Sequence, residues 1–165
     1  MRAVVVMTLV WASWAFAQEP FHQLCGACHT TVAEDFRSHP HLQQGLDCNV
    51  CHGESQAHRD AAGAAQPDRI AAPHEVPSLC GSCHVDQLAS FSKSRHGELV
   101  AAKERAPNCG TCHDVHRVRP ALAVERRCAN CHQELPAACL ADPPAGVTAG
   151  VSCAACHRPH EFLGE

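Results

Sequence analysis

Apolar and polar positions along the chain predict short helices and no sheet. Val32 and Phe36 lie four positions apart, and Leu88 and Phe91 lie three apart, so each pair falls on one face of a helix. No alternating run of apolar residues is long enough for a strand. We therefore expect a mostly irregular chain with no significant β-sheet. Four short helices are predicted, at residues 31–37, 85–93, 98–105 and 121–129.

The first 17 residues have the pattern of an export signal. A single basic residue, Arg2, precedes an uncharged stretch that ends in Ala15-Phe16-Ala17, an A-x-A cleavage site before Gln18. The alternative is an uncleaved membrane anchor, but the stretch is shorter than the roughly 20 residues that a spanning helix needs. We predict a signal peptide at 1–17 and a soluble mature protein, periplasmic or extracellular.

The remaining 148 residues contain few of the side chains that build a core. Leu, Ile, Val and Phe make up 25 of them, about 17%, which is below the level at which a chain normally folds around its own side chains. The protein nevertheless has 13 Cys and 14 His, and its formal net charge of -4 argues against nucleic-acid binding. Either this chain is disordered, or something other than side chains fills its interior.

Twelve of the 13 cysteines lie in six C-x-x-C-H motifs, the attachment signature of c-type haem. Two thiols three positions apart can form thioethers to the two vinyl groups of one haem, and the adjacent His then becomes the proximal iron ligand. We therefore predict six covalently bound haem c groups. The cysteines are Cys25, Cys28, Cys48, Cys51, Cys80, Cys83, Cys109, Cys112, Cys128, Cys131, Cys153 and Cys156. The proximal histidines are His29, His52, His84, His113, His132 and His157.

Two other interpretations of the cysteines compete with haem attachment. The interval between Cys28 and Cys48 fits a zinc ribbon, and a secreted chain rich in Cys can be a disulfide framework. Neither gives a reason for a His after every second cysteine, so haem is preferred.

The second axial ligand of each iron is predicted to be histidine. Both Met residues, Met1 and Met7, lie in the predicted signal peptide, so His/Met ligation is excluded in the mature chain. Eight histidines remain once the proximal six are assigned, which is enough for bis-His ligation of all six haems. They are His22, His39, His41, His58, His74, His96, His116 and His160.

An internal repeat narrows the choice of distal ligands. The first and third motifs are each followed by the same element, Phe-x4-His, which places His41 and His96 in equivalent positions. A trailing histidine follows each second motif: His58, His116 and His160. The chain thus divides into a signal peptide and three units of two motifs each, at about 22–60, 74–118 and 126–161. The third unit lacks Phe-x4-His.

One distal ligand remains to be assigned. His74, alone in an Ala/Pro-rich connector, is our sixth choice, and His22 and His39 are its rivals. Cys139 is the odd cysteine, for which a free or intermolecularly paired thiol is the usual interpretation.

With its paired CXXCH motifs, Phe-x4-His elements and CHDVH, the chain resembles the doubled-CXXCH multihaem cytochromes c over essentially its whole mature length. This resemblance implies a fold built around a haem core and an electron carrier of anaerobic respiration, not an enzyme. The implied partners are redox proteins: a membrane quinol oxidase on one side and a terminal reductase or outer-membrane conduit on the other.

Two other functions stay open. One is a reductase of nitrite, hydroxylamine or a sulfur oxyanion acting at one open haem. The other is a subunit of an extracellular cytochrome filament, with ligands donated across subunits.

Overall fold

The computed structural model describes residues 20–120, 123, 124, 127–133, 153, 157, 158 and 160. Helices cover about half of residues 20–120, and no strand occurs within the described residues. The α-helices are α1 (Phe21–Gly26), α2 (Thr30–Phe36), α3 (Pro40–Gln43), α4 (Cys48–His52), α5 (Gln56–Asp60), α6 (Val76–Gly81), α7 (Val85–Phe91), α8 (Arg95–Ala101) and α9 (Cys109–His113). A 3₁₀ turn follows at Cys128–Asn130.

Short helices without a sheet are what the sequence predicted, and for the described residues the prediction is confirmed. Helices α2 and α7 lie where the apolar spacing placed them. The helix expected at 98–105 instead begins at Arg95, because the Ser94 hydroxyl caps it by accepting a hydrogen bond from the Gly97 backbone N–H at 3.1 Å. Of the helix expected at 121–129, residues 121, 122, 125 and 126 lie outside the described residues.

Helix also occurs at the CXXCH motifs themselves, where two thiols three positions apart fit one helical turn although the apolar spacing predicts no helix. Helices α4 and α9 each consist of one complete motif. Each begins at a polar cap: the Asp47 carboxylate accepts from the Cys48 N–H, and Asn108 forms a capping box with Thr111. These caps fix the first turn, which carries both cysteines of the motif.

Helix packing repeats between the first two units. Helix α1 packs on α2 and α4, and α6 packs in the same way on α7 and α9. Gly26 and Gly81, each directly after the first cysteine of a motif, make the close approach possible. A Cβ on Gly26 would lie 2.9 Å from the Ala33 Cβ, and one on Gly81 would overlap the Leu88 side chain.

The apolar core is very small. Within the described residues the buried hydrophobic side chains of the core are Phe36, Phe91 and Val100. The Ser94 side chain is completely buried. No helix in the described part of the chain has the length and apolar character to cross a membrane. The predicted signal peptide, Cys139 and Cys156 lie outside the described residues, as does much of the third unit.

Candidate haem sites

The five CXXCH motifs that the structure describes in full each contain a helical turn. Two are whole helices, and in the other three the backbone N–H of the motif histidine donates to the carbonyl of the first cysteine at 2.9–3.0 Å, as the His157 N–H does to the Cys153 carbonyl in the sixth motif. Residues three apart on such a turn project from the same side. The two thiols of a motif are thus presented together, as attachment to one porphyrin requires. The three histidines are His29, His84 and His132.

The first cysteines of the two motifs in each predicted unit lie side by side. Burial, followed by the hydrogen bond to Asp47, raises the pKa of the Cys48 thiol to about 12. The hydrogen bond with Cys109 lowers the pKa of Cys80 to about 7 and raises that of Cys109. Three such thiol pairs occur among the described residues: Cys25 with Cys48, Cys80 with Cys109, and Cys128 with Cys153.

Thiols also approach one another between units. Burial raises the pKa of Cys51, and the nearby Cys80 thiol adds to the shift. Cys112 behaves similarly: burial raises its pKa, Arg127 opposes the shift and Cys131 reinforces it. Successive motifs along the chain are therefore spatial neighbours, from the first to the sixth.

Histidine side chains meet in pairs. Each of five pairs joins one motif histidine to one of the five histidines that the internal repeat singled out as distal ligands. The ring centroids are His29–His58 at 6.0 Å, His41–His84 at 5.9 Å, His52–His116 at 6.0 Å, His96–His132 at 6.1 Å and His113–His160 at 5.8 Å.

This spacing fits one iron between each pair of rings. Two imidazoles bound on opposite sides of a metal, with metal–nitrogen bonds of about 2 Å, have ring centres roughly 6 Å apart. No cluster of three or more His, Cys, Asp or Glu side chains able to hold a metal ion occurs in the described part of the chain. His41 also has the His39 ring beside it, with centroids 4.8 Å apart. In each of the five pairs one motif histidine faces one distal candidate, and two is the number of axial positions that a haem iron leaves to the protein.

Several of these imidazoles are biased toward the neutral form, the form that binds metal. Burial lowers the pKa of His96, and the neighbouring His132 lowers it further. Burial likewise lowers the pKa of His116, with His52 as the next cause. Partial burial and the neighbouring motif histidine therefore both lower the pKa of these distal histidines.

Most of the pairs join different units. His29 and His58 belong to the first unit, whereas His84 of the second unit faces His41 of the first. In the other direction, His52 of the first unit faces His116 of the second. The same two connections recur between the second and third units, in the pairs His96–His132 and His113–His160.

The three candidates for the last distal position have different surroundings. The Nδ1 atom of His22 lies 3.4 Å from an Asp47 carboxylate oxygen. His39 accepts a hydrogen bond from the His41 backbone N–H and stacks on Phe36, with ring centroids 5.0 Å apart. His74 lines a surface cavity, and no hydrogen bond or ring contact to it occurs within the described residues.

Two groups that contact the histidines had no signal in the sequence, because they are backbone carbonyls. The carbonyl oxygen of Arg69 lies 3.1 Å from His52 Nδ1, and that of Ala65 lies 2.7 Å from His58 Nδ1. Both belong to the Ala/Pro-rich connector between the second and third motifs. Composition predicts only a loop for this connector.

Helical CXXCH turns and paired imidazoles together define a multihaem c-type cytochrome, an electron-transfer protein with covalently bound haem c. The sequence model of one family, described as Cytochrome c3, matches residues 40–133. Because the match covers more than half of the chain, the protein belongs to the cytochrome c3 family. Neither the curated proteins nor the solved structures contain a match to it.

Proposed function

We propose that the protein is a soluble periplasmic hexahaem cytochrome. In this proposal it passes electrons in anaerobic respiration from a membrane quinol oxidase to a terminal reductase or an outer-membrane conduit. The observation that carries the proposal is the set of five imidazole pairs, each with centroids 5.8–6.1 Å apart and each containing one CXXCH histidine. Bound haem supplies one-electron redox chemistry.

The proposed axial ligands are the two histidines of each pair. An iron with imidazole on both sides has no open position for a substrate, which favours a carrier over an enzyme. Histidine in place of methionine also favours low potentials, since a methionine ligand raises them. For the sixth haem we keep His74 as the proposed distal ligand. Unlike the rings of His22 and His39, that of His74 has both nitrogens without a hydrogen bond among the described residues.

The order of the attachment sites supports electron transfer along the chain. Adjacent thiols, such as Cys25 with Cys48 and Cys80 with Cys109, require the porphyrins attached to them to be neighbours. The approach of Cys51 to Cys80 extends the series from the first unit into the second. A linear series of close redox centres is what a carrier between two partners needs.

Haem quantification and spectroscopy of the holoprotein test this proposal. We expect six haems per chain, low-spin EPR signals throughout, and no CO binding by the reduced protein. CO binding at one haem with turnover of nitrite, hydroxylamine or a sulfur oxyanion would favour a reductase instead. Polymerisation that increases with protein concentration would favour a filament subunit, whereas a monodisperse monomer with all haems low-spin would support the carrier.

A further inference from the structure

We propose that residues 61–73 of the connector form a positioning strap for two ligand histidines, His52 and His58. The inference rests on the proposed function, in which both rings bind iron. The strap lies against the first unit and brings one backbone carbonyl to each ring, Arg69 to His52 and Ala65 to His58. In other metalloproteins a hydrogen-bonding partner at the second ring nitrogen of a ligand histidine fixes the tautomer and orientation of the ring, and the two carbonyls do the same for His52 and His58.

The two carbonyls determine which ring nitrogen faces the iron. A carbonyl oxygen can only accept a hydrogen bond, so the Nδ1 atoms of His52 and His58 must carry the proton. Nε2 is then left with its lone pair, ready to bind metal. A hydrogen bond from Nδ1–H also makes the imidazole a stronger donor, which stabilises the oxidised iron and lowers its potential.

Asp68 fixes the strap in place. Its carboxylate accepts a hydrogen bond from the Ser55 N–H at 2.7 Å, and its own N–H donates to the Ser55 hydroxyl oxygen at 3.1 Å. That hydroxyl in turn donates to the His52 carbonyl at 3.0 Å. Ser55 is buried and has a left-handed backbone conformation, with φ of 50°. The strap is thus bonded to the segment that links the two histidines.

Gly53 provides the space that this contact needs. Its φ of 76° favours glycine, and a Cβ added there would lie 2.8 Å from both the Cβ and a carboxylate oxygen of Asp68. Next to Asp68, the Arg69 side chain donates to the Val50 carbonyl at 3.2 Å. The Arg69 carbonyl is therefore held near His52 from both sides.

The strap belongs to the first unit alone. Within the described residues no carbonyl hydrogen-bonds to the ring of His113 or His116, the equivalent histidines of the second unit. The segment after His113 instead contains an ion pair, in which the Asp114 carboxylate accepts a hydrogen bond from the Arg119 guanidinium at 2.6 Å. We therefore infer that the haem of the CNVCH motif, bound by His52 and His116, has a lower potential than the haem of the CGTCH motif, bound by His113 and His160.

The test uses the full-length holoprotein and three variants. In the reduced protein, NMR measures the solvent exchange of the Nδ1 protons of His52 and His58, and a redox titration gives the haem potentials. Asp68→Ala removes the anchor. Asp68→Asn keeps an oxygen that can accept from Ser55 while it removes the charge. Asp86→Ala removes an exposed carboxylate from α7, far along the chain from the strap.

Asp68→Ala is expected to speed Nδ1–H exchange by at least about tenfold, the loss of roughly one hydrogen bond, and to raise the potentials of the two haems concerned. Asp68→Asn and Asp86→Ala should resemble the wild type. Unchanged exchange in Asp68→Ala would overturn the proposal, as would an Asp68→Asn variant that behaves like Asp68→Ala. If the wild-type His52 and His58 rings lack haem-shifted resonances, the ligand assignment has failed, whereas the exchange readout still tests the hydrogen bonds.

Discussion

The imidazole ring of His116 lies opposite that of His52, with centroids 6.0 Å apart and planes inclined by 23°. His116 follows the fourth motif by three residues but faces the histidine of the second. In the proposed ligation, this contact makes His116 a ligand of a haem of the first unit and not of the haem attached beside it in sequence.

Replacing His116 with Ala is therefore expected to leave the haem on Cys48 and Cys51 without its distal ligand. One equivalent of CO per chain should bind to the reduced variant, and one low-spin EPR signal should become high-spin. When Cys48 and Cys51 are also replaced by Ala, the haem in question is absent, so His116→Ala should cause no further CO binding and no new high-spin signal. If the haem on Cys109 and Cys112 is the one that changes, the assignment is wrong.

Gly97→Ala is expected to disturb ligation at a distance along the chain. A Cβ on Gly97 would overlap the Phe91 carbonyl oxygen, so α8 would have to move, and His96 with it. Because the His96 ring faces His132, the haem on Cys128 and Cys131 should begin to bind CO. Glu98→Ala, at the next and exposed position of α8, is the matched control and should keep every haem low-spin. Normal ligation in Gly97→Ala would contradict this account of α8.

The Asp47 carboxylate is expected to stabilise the protein in a pH-dependent way. Burial would raise its pKa, but the hydrogen bonds from Cys48 and His22 outweigh burial and lower it below 3.8. A carboxyl group with a lowered pKa stabilises the fold above its unfolded-state pKa, and the contribution is lost as the pH falls through the folded-state value. Asp47→Ala should cost about 1 kcal/mol at neutral pH, the usual cost of a lost helix cap.

That cost should shrink as the pH falls below about 4, where the wild-type carboxylate becomes protonated. Chemical denaturation at pH 7 and in acid measures it. Asp47→Asn is the control, since asparagine caps helices as well as aspartate does and cannot be protonated in this range. A difference between wild type and Asp47→Ala that stays constant down to pH 2 would refute the role of the charge.

Without haem the chain is expected to lose its fold. Phe36, Phe91 and Val100 are the buried apolar residues in the described part of the chain, and so small a core cannot offset the entropy of ordering it. Protein produced without haem attachment, with its thiols kept reduced, should show weak helical circular dichroism and no cooperative thermal transition. The holoprotein is the reference. A cooperative transition in the haem-free chain would show that the side chains alone suffice.

The sequence was most informative where chemistry repeats. CXXCH spacing predicted the attachment sites, and the Phe-x4-His element singled out His41 and His96, whose rings each face a motif histidine. Apolar spacing located α2 and α7, since Phe36 and Phe91 are among the few apolar residues with a helical partner.

What the sequence could not provide depends on distant contacts. Nothing near His84 in the chain indicates that its ring faces His41 of the preceding unit. The early start of α8 follows from the Ser94 cap, a single polar residue that spacing rules do not weigh. The carbonyls of Ala65 and Arg69 are present in every residue type, so only the folded chain distinguishes them.

The exchange of facing histidines between units also imposes an order on biogenesis. A chain is synthesised with its N-terminus leading, so the CNVCH segment emerges well before His116 does. If haem is attached as each motif emerges, the iron beside His52 must wait for the next unit before its second imidazole arrives. Each new unit then supplies the second imidazole for an iron that is already attached to the unit before it.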